Sequence, residues 1–339
     1  MKVAVFTGVG EITLREEPDP VPGPDQVVIE VAACGICTFE RRLFAGDKQW
    51  YPVAPGHEAS GVVIEVGTSV ADRPGSPKVG DRVAMDLLTR CGTCGPCRRG
   101  KSNLCRARQG RVLSDGTVSF GGFAGKIALD AKSVYPVGDA SLIHTAMCEP
   151  IACCVHSLRQ GGFRSRDRVA IVGGGLMGRI HMAIARVEGA GSIGVIDVSE
   201  ERLAEATAAG ADWVATPEQA LEVGGKQDVV VVCAMGGVDL AVEIADVGGT
   251  VVLYSAFDKE VPATVGADKS HREEVAIVGA FQQTPDDWRD ASAYLKAGVL
   301  ADDLEALVTA TFPFSQVEEA LRLVTSEPTY RVFVQPEHD

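Results

Sequence analysis

The chain has 339 residues, of which 46% are hydrophobic and 23% charged, and its formal net charge is −14. That length calls for two domains, the composition is ordinary for a soluble α/β protein, and the acidic balance argues against nucleic acid as a partner. No apolar stretch reaches the roughly 18 residues that a membrane span needs, and the opening MKVAVFTGVGEITLREEPDP has the pattern of neither a signal nor a transit peptide. Ten cysteines without a secretory signal imply a reducing, cytoplasmic setting.

Short alternating or apolar runs broken by Pro and Gly fill the first 150 residues, as at 27–32, 59–66 and 82–85, with turns at Pro22-Gly23-Pro24 and Pro74-Gly75. They predict a mostly β region. The character changes near Glu149. A helix is expected over 151–160 and a strand over 168–172. Helices at 178–188, 200–209 and 238–246 then alternate with strands at 193–197, 228–233 and 250–254. Such alternation predicts a parallel sheet with helices on both faces. A helix at 288–297, a strand and helix within 312–324, and a last strand at 330–335 complete the chain.

Inside the first region lies RCGTCGPCRRGKSNLC, which places Cys91, Cys94, Cys97 and Cys105 in one short loop. Four thiolates at about 2.3 Å satisfy a tetrahedral zinc and leave no open position, so this zinc would be structural. Two disulfides are the alternative, disfavoured by the reducing setting.

The predicted strand at 168–172 runs into Gly173-Gly174-Gly175-Leu176-Met177-Gly178, a G-x-G-x-x-G pattern between a strand and a helix. Gly173 permits the turn, Gly175 lets a pyrophosphate approach, and Gly178 lets helix and strand pack closely. The helix N-terminus would hold the phosphates. The next strand ends in Asp197, whose carboxylate would accept both ribose hydroxyls and repel a 2′-phosphate, favouring NAD over NADP. Leu176, Met177 and Arg202 are grouped with these residues as cofactor contacts. Asp197 or Ser199 could instead serve only as a helix cap.

Three further pieces carry metal-ligand types: Cys34-Gly-Ile-Cys37, Gly56-His57-Glu58 and Cys148-Glu149-Pro150. Separated Cys, His and carboxylate suit a catalytic zinc with three protein ligands and an open fourth position. Spacing alone does not choose between Cys34 and Cys37, or between Cys148 and Glu149.

The motifs CGIC at 34–37, PGHEASG at 55–61, GDRVAMD at 80–86, the four-cysteine run, GGFAGKIAL at 121–129, CEPIACCVHSL at 148–158 and GGGLMG at 173–178 resemble, in order and spacing, the zinc-dependent medium-chain dehydrogenases of the alcohol and polyol dehydrogenase family. The resemblance implies an α/β protein in two parts. One is a GroES-like, mostly β catalytic domain at 1–152 and 290–339; the other is a Rossmann doubly wound parallel sheet at 153–289. It implies Cys37, not Cys34, as a catalytic zinc ligand, with His57 beside it. Glu58 is a ligand in some members and a neighbour in others. Glu149 matches the third protein position, and an acid followed by Pro resembles the sorbitol and polyol branch. Two zincs per chain, NAD and a homodimer or homotetramer follow from the same resemblance.

One stretch departs from the family pattern. After the catalytic cysteine, members usually carry a small or polar residue, a Ser or Thr, an Asp, and often a His two further on. Here the run is Thr38, Phe39, Glu40, Arg41, Arg42. Phe39 cannot hand on a proton, so Thr38 takes that role, a water near Glu58 or Glu149 does, or the reaction is not alcohol oxidation. His156 is placed on a helix as a cleft or core residue, and Phe120, Phe123 and Phe281 as core or pocket wall. His144, His181 and His338 are read as surface or packing residues, and Glu273 and Glu274 as candidate polar substrate contacts. The expected function is hydride transfer between NAD and a secondary hydroxyl of a polyol, cyclitol or sugar, with an amino sugar of aminoglycoside biosynthesis as a narrower case. A zinc-independent enone or quinone reductase and a non-catalytic structural-zinc protein are the rival readings.

Overall fold

A computed structural model describes residues 1–71, 73–107, 110–257, 264 and 266–337, so His338 lies outside the described residues. The chain forms two compact units, Met1–Glu149 with Thr284–Asp339, and Pro150–Gln283. No helix among the described residues is long and apolar enough to cross a membrane.

The first unit is built on two mixed sheets. Its organising strand is Gln26–Ile36, QVVIEVAACGI, which pairs antiparallel with Glu58–Val66, Lys126–Asp130 and the C-terminal Arg331–Gln335. Arg82–Met85, Val134–Pro136 and Val308–Pro313 extend this sheet to seven strands. A strand enclosed on both sides loses its polar face, which is why its C-terminal half, 31–36, is a near-continuous buried run rather than an alternating one. The run expected over 27–32 therefore covered only part of this strand. The second sheet, of five strands, begins with a hairpin, Lys2–Gly8 and Glu11–Glu16, that turns at Gly10 with φ of 68°. One core joins the sheets: Phe6 meets Phe44 edge-on at 6.5 Å and Phe123 at 6.3 Å between centroids, all three buried.

The second unit holds six parallel strands. In space they run Trp213–Ala215, Ser192–Ile196, Arg168–Val172, Gln227–Val232, Ala245–Leu253, Ala276–Gly279. Numbered within the unit this is 3-2-1-4-5-6, the Rossmann order, with its switch between the strands Arg168–Val172 and Gln227–Val232. Nearly every residue of those two strands is buried, as a parallel sheet covered on both faces requires. The helix expected to reach 246 stops at Ile244, because Ala245 already pairs with Gln227 in the next strand.

Phe6→Ala would leave an aromatic-sized hole where the two sheets of the first unit share their core. We expect a loss of about 3–5 kcal/mol in denaturant unfolding, and a loss below about 1 kcal/mol would mean that this core collapses freely around the gap.

Candidate active site

The strand Gln26–Ile36 delivers Cys37 to the N-terminus of the helix Thr38–Ala45, where it serves as the cap. Its Sγ accepts the Phe39 amide at 3.1 Å, and the Glu40 carboxylate reaches back to the Cys37 amide at 3.1 Å. This is a capping box in which a thiol replaces the usual hydroxyl. The run that departs from the family pattern is thus a helical turn with fixed directions.

Glu40 is fully buried and serves three neighbours. It accepts from Cys37, from the Gly56 amide at 3.1 Å and from His57 Nδ1 at 3.2 Å. With Nδ1 held as the donor, the lone pair of His57 Nε2 faces Cys37 Sγ, 3.4 Å away. Two donors of one tetrahedral zinc would lie about 3.5 Å apart. A carboxylate behind a ligand histidine fixes tautomer and ring orientation. Burial alone would raise the Glu40 carboxyl, but His57 and these hydrogen bonds outweigh it and hold it at about 2. Gly56 is forced by geometry: its φ is 90°, and a Cβ there would lie 2.6 Å from the Phe123 nitrogen.

Glu58 lies opposite Gly35 in the strand register. Its Oε1 pairs with Arg331 Nη2 at 2.9 Å, and Arg331 Nη1 also donates to the Ile36 carbonyl. Its Oε2 is buried with no hydrogen-bond partner among the described residues. A Cβ at Gly35 would lie 2.6 Å from that oxygen, so the glycine makes its space. Glu149, in the first turn of the helix Cys148–Gln160, brings a second carboxylate. One ligand atom each from His57, Glu58 and Glu149 lie within 4.8 Å of one another, and His57 also groups with Cys37 and Glu40. Burial, with Glu40 beside it, pushes the Cys37 thiol up to about 12. Burial likewise raises Glu58 to about 7 against the pull of Arg331, with Glu149 adding to the rise. Thiol, carboxyl and imidazole donors gathered in one cluster are the groups that a cation binds, and a sulfur, nitrogen and oxygen set suits zinc. Cys34 and Cys148 are buried and fall outside every such group.

Cys91, Cys94, Cys97 and Cys105 bring their sulfurs within 4.8 Å of one another, and none forms a disulfide. Cys91 Sγ is 3.6 Å from Cys105 Sγ and 4.0 Å from Cys97 Sγ. A tetrahedron with 2.3 Å bonds has edges of about 3.8 Å, so the cage has the size zinc requires.

In the second unit, Gly173 turns with φ of 109°, and Gly175 precedes the helix Leu176–Val187, which no side chain caps. Its first amides are therefore available to an anion. A Cβ at Gly178 would lie 1.9 Å from the Gly173 carbonyl oxygen, so the close approach of helix and strand excludes any other residue. Asp197 accepts from the Gly174 amide at 2.7 Å and the Ser199 amide at 2.9 Å, and Arg202 Nη1 stands 3.8 Å from it. The cap of the following helix is Ser199, which accepts from the Arg202 amide.

Of the other residues singled out, Thr38 is exposed. Phe123 belongs to the core, whereas Phe281 is 62% exposed. His156 and His181 are buried, and His144 pairs with Glu305 at 2.8 Å. Glu273 pairs with Lys269 at 3.8 Å, and Glu274 is exposed with φ of 54°. The sequence reading missed the parts of Glu40 and Arg331. For Glu40 a signal existed, the Cys37-x-x-Glu40 capping spacing; Arg331, 273 residues beyond Glu58, carried none.

Residues 23–139 match the alcohol dehydrogenase GroES-like domain family, and residues 177–297 match the zinc-binding dehydrogenase family. The chain is 32% identical to an L-idonate 5-dehydrogenase of Vitis vinifera, over 92% of this chain and 88% of that one. It is 29% identical to a sorbitol dehydrogenase of Halalkalibacterium halodurans, over 99% of each. Among solved structures, one described as a zinc-binding dehydrogenase of Sinorhizobium meliloti bound to NADP has a TM-score of 0.87 at 28% identity, covering 99% of both chains. An alcohol dehydrogenase of Escherichia coli complexed with NADH has a TM-score of 0.85 at 25% identity, again over 99% of both.

Glu40→Gln keeps an oxygen for the cap but removes the charge behind His57. Chelator competition should show zinc held about 10- to 100-fold more weakly at one site, with the four-cysteine site unaffected. Unchanged affinity at both sites would mean that Glu40 serves the fold alone.

Proposed function

We propose that this chain, which belongs to the zinc-containing medium-chain alcohol and polyol dehydrogenase family, transfers hydride between NAD and a secondary hydroxyl of a neutral polyol, cyclitol or sugar. It is an NAD-dependent oxidoreductase acting on CH–OH donors. The observation that carries the proposal is the convergence on His57 of Cys37, Glu58 and Glu149, from three separate parts of the chain. In this reading Cys37, His57 and a carboxylate of Glu58 or Glu149 hold a catalytic zinc, while Cys91, Cys94, Cys97 and Cys105 hold a structural one. Assembly as a homodimer or homotetramer and a cytoplasmic location belong to the same reading.

Zinc bound there supplies Lewis-acid activation of the hydroxyl, and NAD supplies the hydride acceptor. The protein supplies position. Glu40 keeps the Nδ1 proton on His57 and so presents Nε2. Arg331 occupies one oxygen of Glu58 and leaves the other as an acceptor. The amides that follow Gly175 receive the pyrophosphate, Gly175 lets it come close, and Gly173 and Gly178 provide the turn and the tight helix packing around it. Leu176 and Met177 belong to that first turn. Asp197 takes the ribose hydroxyls and, by its charge, resists a 2′-phosphate, with Arg202 beside it. Phe39 offers the substrate's proton no acceptor. Thr38, exposed beside Cys37, supplies the hydroxyl through which it leaves.

The amino-sugar case, with its place in aminoglycoside biosynthesis, has a charge against it. The Lys48 ammonium stands 4.5 Å over the Phe39 ring, which itself meets His57 edge-on. A second cation brought to that ring would be repelled, so the neutral substrates are favoured.

Zinc counting on wild type and Cys37→Ala, with NADH absorbance as the activity readout, tests the centre. Two zincs per chain should fall to one and turnover should cease; one zinc in both proteins would remove the catalytic metal from the proposal. The cofactor assignment is tested by Asp197→Ala. The ratio of kcat/KM with NADP to that with NAD should rise about 10- to 100-fold, in line with a lost charge contact, and an unmoved ratio would take the discrimination away from Asp197.

A further inference from the structure

Where family members carry a hydroxyl after the catalytic cysteine, this chain has an aromatic ring, and that ring is one of three. Phe39, Trp50 and Phe120 meet pairwise and nearly at right angles. Their centroids are 6.4 Å apart for Phe39 and Trp50, 5.6 Å for Phe39 and Phe120, and 5.8 Å for Trp50 and Phe120, at 78°, 77° and 88°. Phe39 also meets His57 edge-on at 6.2 Å, so the corner begins at the metal-ligand cluster. Trp50 is 40% exposed, and the other two are half-buried.

Each ring is fixed by its backbone. Phe39 lies in the first turn of the helix that Cys37 caps. The segment bearing Trp50 folds back onto that helix through the Lys48 amide on the Arg42 carbonyl at 3.1 Å and the Tyr51 hydroxyl on the Leu43 carbonyl. Phe120 is held by its amide on the Ala54 carbonyl at 2.8 Å, and its own carbonyl accepts from Arg111 at 3.3 Å. A wall so supported is ready for a ligand before one arrives, which lowers the ordering cost of binding.

We propose that this corner makes the enzyme select cyclic substrates, a cyclitol or a pyranose, over open-chain polyols. The inference rests on the dehydrogenase reading given above. A six-membered polyol ring has an apolar face of C–H bonds that can lie on an aromatic ring, with its hydroxyls directed round the rim. An open-chain polyol has hydroxyls on every side, and against ring faces that offer only the Trp50 indole N–H and the Lys48 ammonium as donors it would leave some of them stripped of water and unpaired. It would also lose the freedom of several rotors that a ring has already surrendered. Phe39 and Trp50 are then specificity-determining residues.

The test compares myo- and scyllo-inositol and glucose with sorbitol and ribitol on the zinc-loaded enzyme, by NADH formation and by quenching of tryptophan fluorescence. Trp213 and Trp288 are less exposed than Trp50, so Trp50→Phe identifies the signal that belongs to the corner. We expect kcat/KM for the rings to exceed that for the chains about 10- to 100-fold, chiefly through KM. We expect ring-specific quenching that vanishes in Trp50→Phe, and a ring-to-chain ratio that falls towards one in Trp50→Ala and Phe39→Ser. Turnover of sorbitol or ribitol at or above that of the rings, or a ratio that both variants leave unmoved, would overturn the inference and leave the dehydrogenase standing. Quenching by the inositols with no NADH formed from any hydroxyl compound would instead overturn the dehydrogenase reading and keep the ring site. Neither quenching nor turnover would overturn both.

Discussion

The hydrogen bonds of one buried acid tie the local fold of the first unit to its chemistry. Glu40 closes the cap of the helix Thr38–Ala45, receives the Gly56 amide and holds His57 Nδ1. Removing a carboxylate from water is expensive, and only the sum of these donors makes it tolerable. The consequence runs in both directions. The helix cannot start elsewhere without losing the capping box, and His57 cannot rotate without stranding a buried charge. Cys37 and His57 are therefore placed by one constraint. The 3.4 Å between Sγ and Nε2 follows from that shared placement.

The four-cysteine loop shows the same economy with different means. Its donors come from one short segment, so little besides local turning is needed to gather them. What needs help is the loop's attachment. Arg90, next to Cys91, pairs with the buried Asp86, and Arg111 donates to the carbonyls of Leu87 and Phe120. The loop is thereby fastened at both ends to residues that continue into the sheets and the aromatic corner. A structural metal here stabilises more than its own loop, because the backbone that carries Phe120 shares its anchors.

How much of this was legible in the sequence depended on how far apart the partners lie. The glycines at 173, 175 and 178 announce themselves because turn, phosphate approach and helix packing act within six residues, and the strands at 168–172 and 82–85 fell where the apolar runs predicted. Cys37 and Cys34 could not be separated by spacing, since both belong to one CxxC. The structure separates them because strand alternation sends Cys34 into the core, and the strand ends before Cys37. Glu40 was visible only as an acid in an unusual run, and its role needed Gly56 and His57 to be brought to it. Arg331 was invisible. It reaches Glu58 only because the C-terminal strand pairs beside Gln26–Ile36, a contact across nearly the whole chain. Trp50 belonged to no periodic segment, and only the fold-back onto the helix sets its ring against Phe39.

These distances bear on how a site of this kind diverges. The residues that gather the metal donors are bound into the fold, so a change at Glu40, Gly35 or Gly56 meets backbone or buried charge at once. Phe39 stands one position from Glu40 on the same helix, yet its side chain leaves the cluster and joins Trp50 and Phe120. In the reading proposed above, a ring in place of a hydroxyl at that point leaves Cys37 and His57 where they are while it would alter both the proton's exit and the shape of the substrate's seat. The two effects are coupled, because the group that closes one proton path is also the wall that a substrate must fit. On that reading, a chain that keeps its donor set and changes this one neighbour would keep its chemistry and alter the molecules that can reach it.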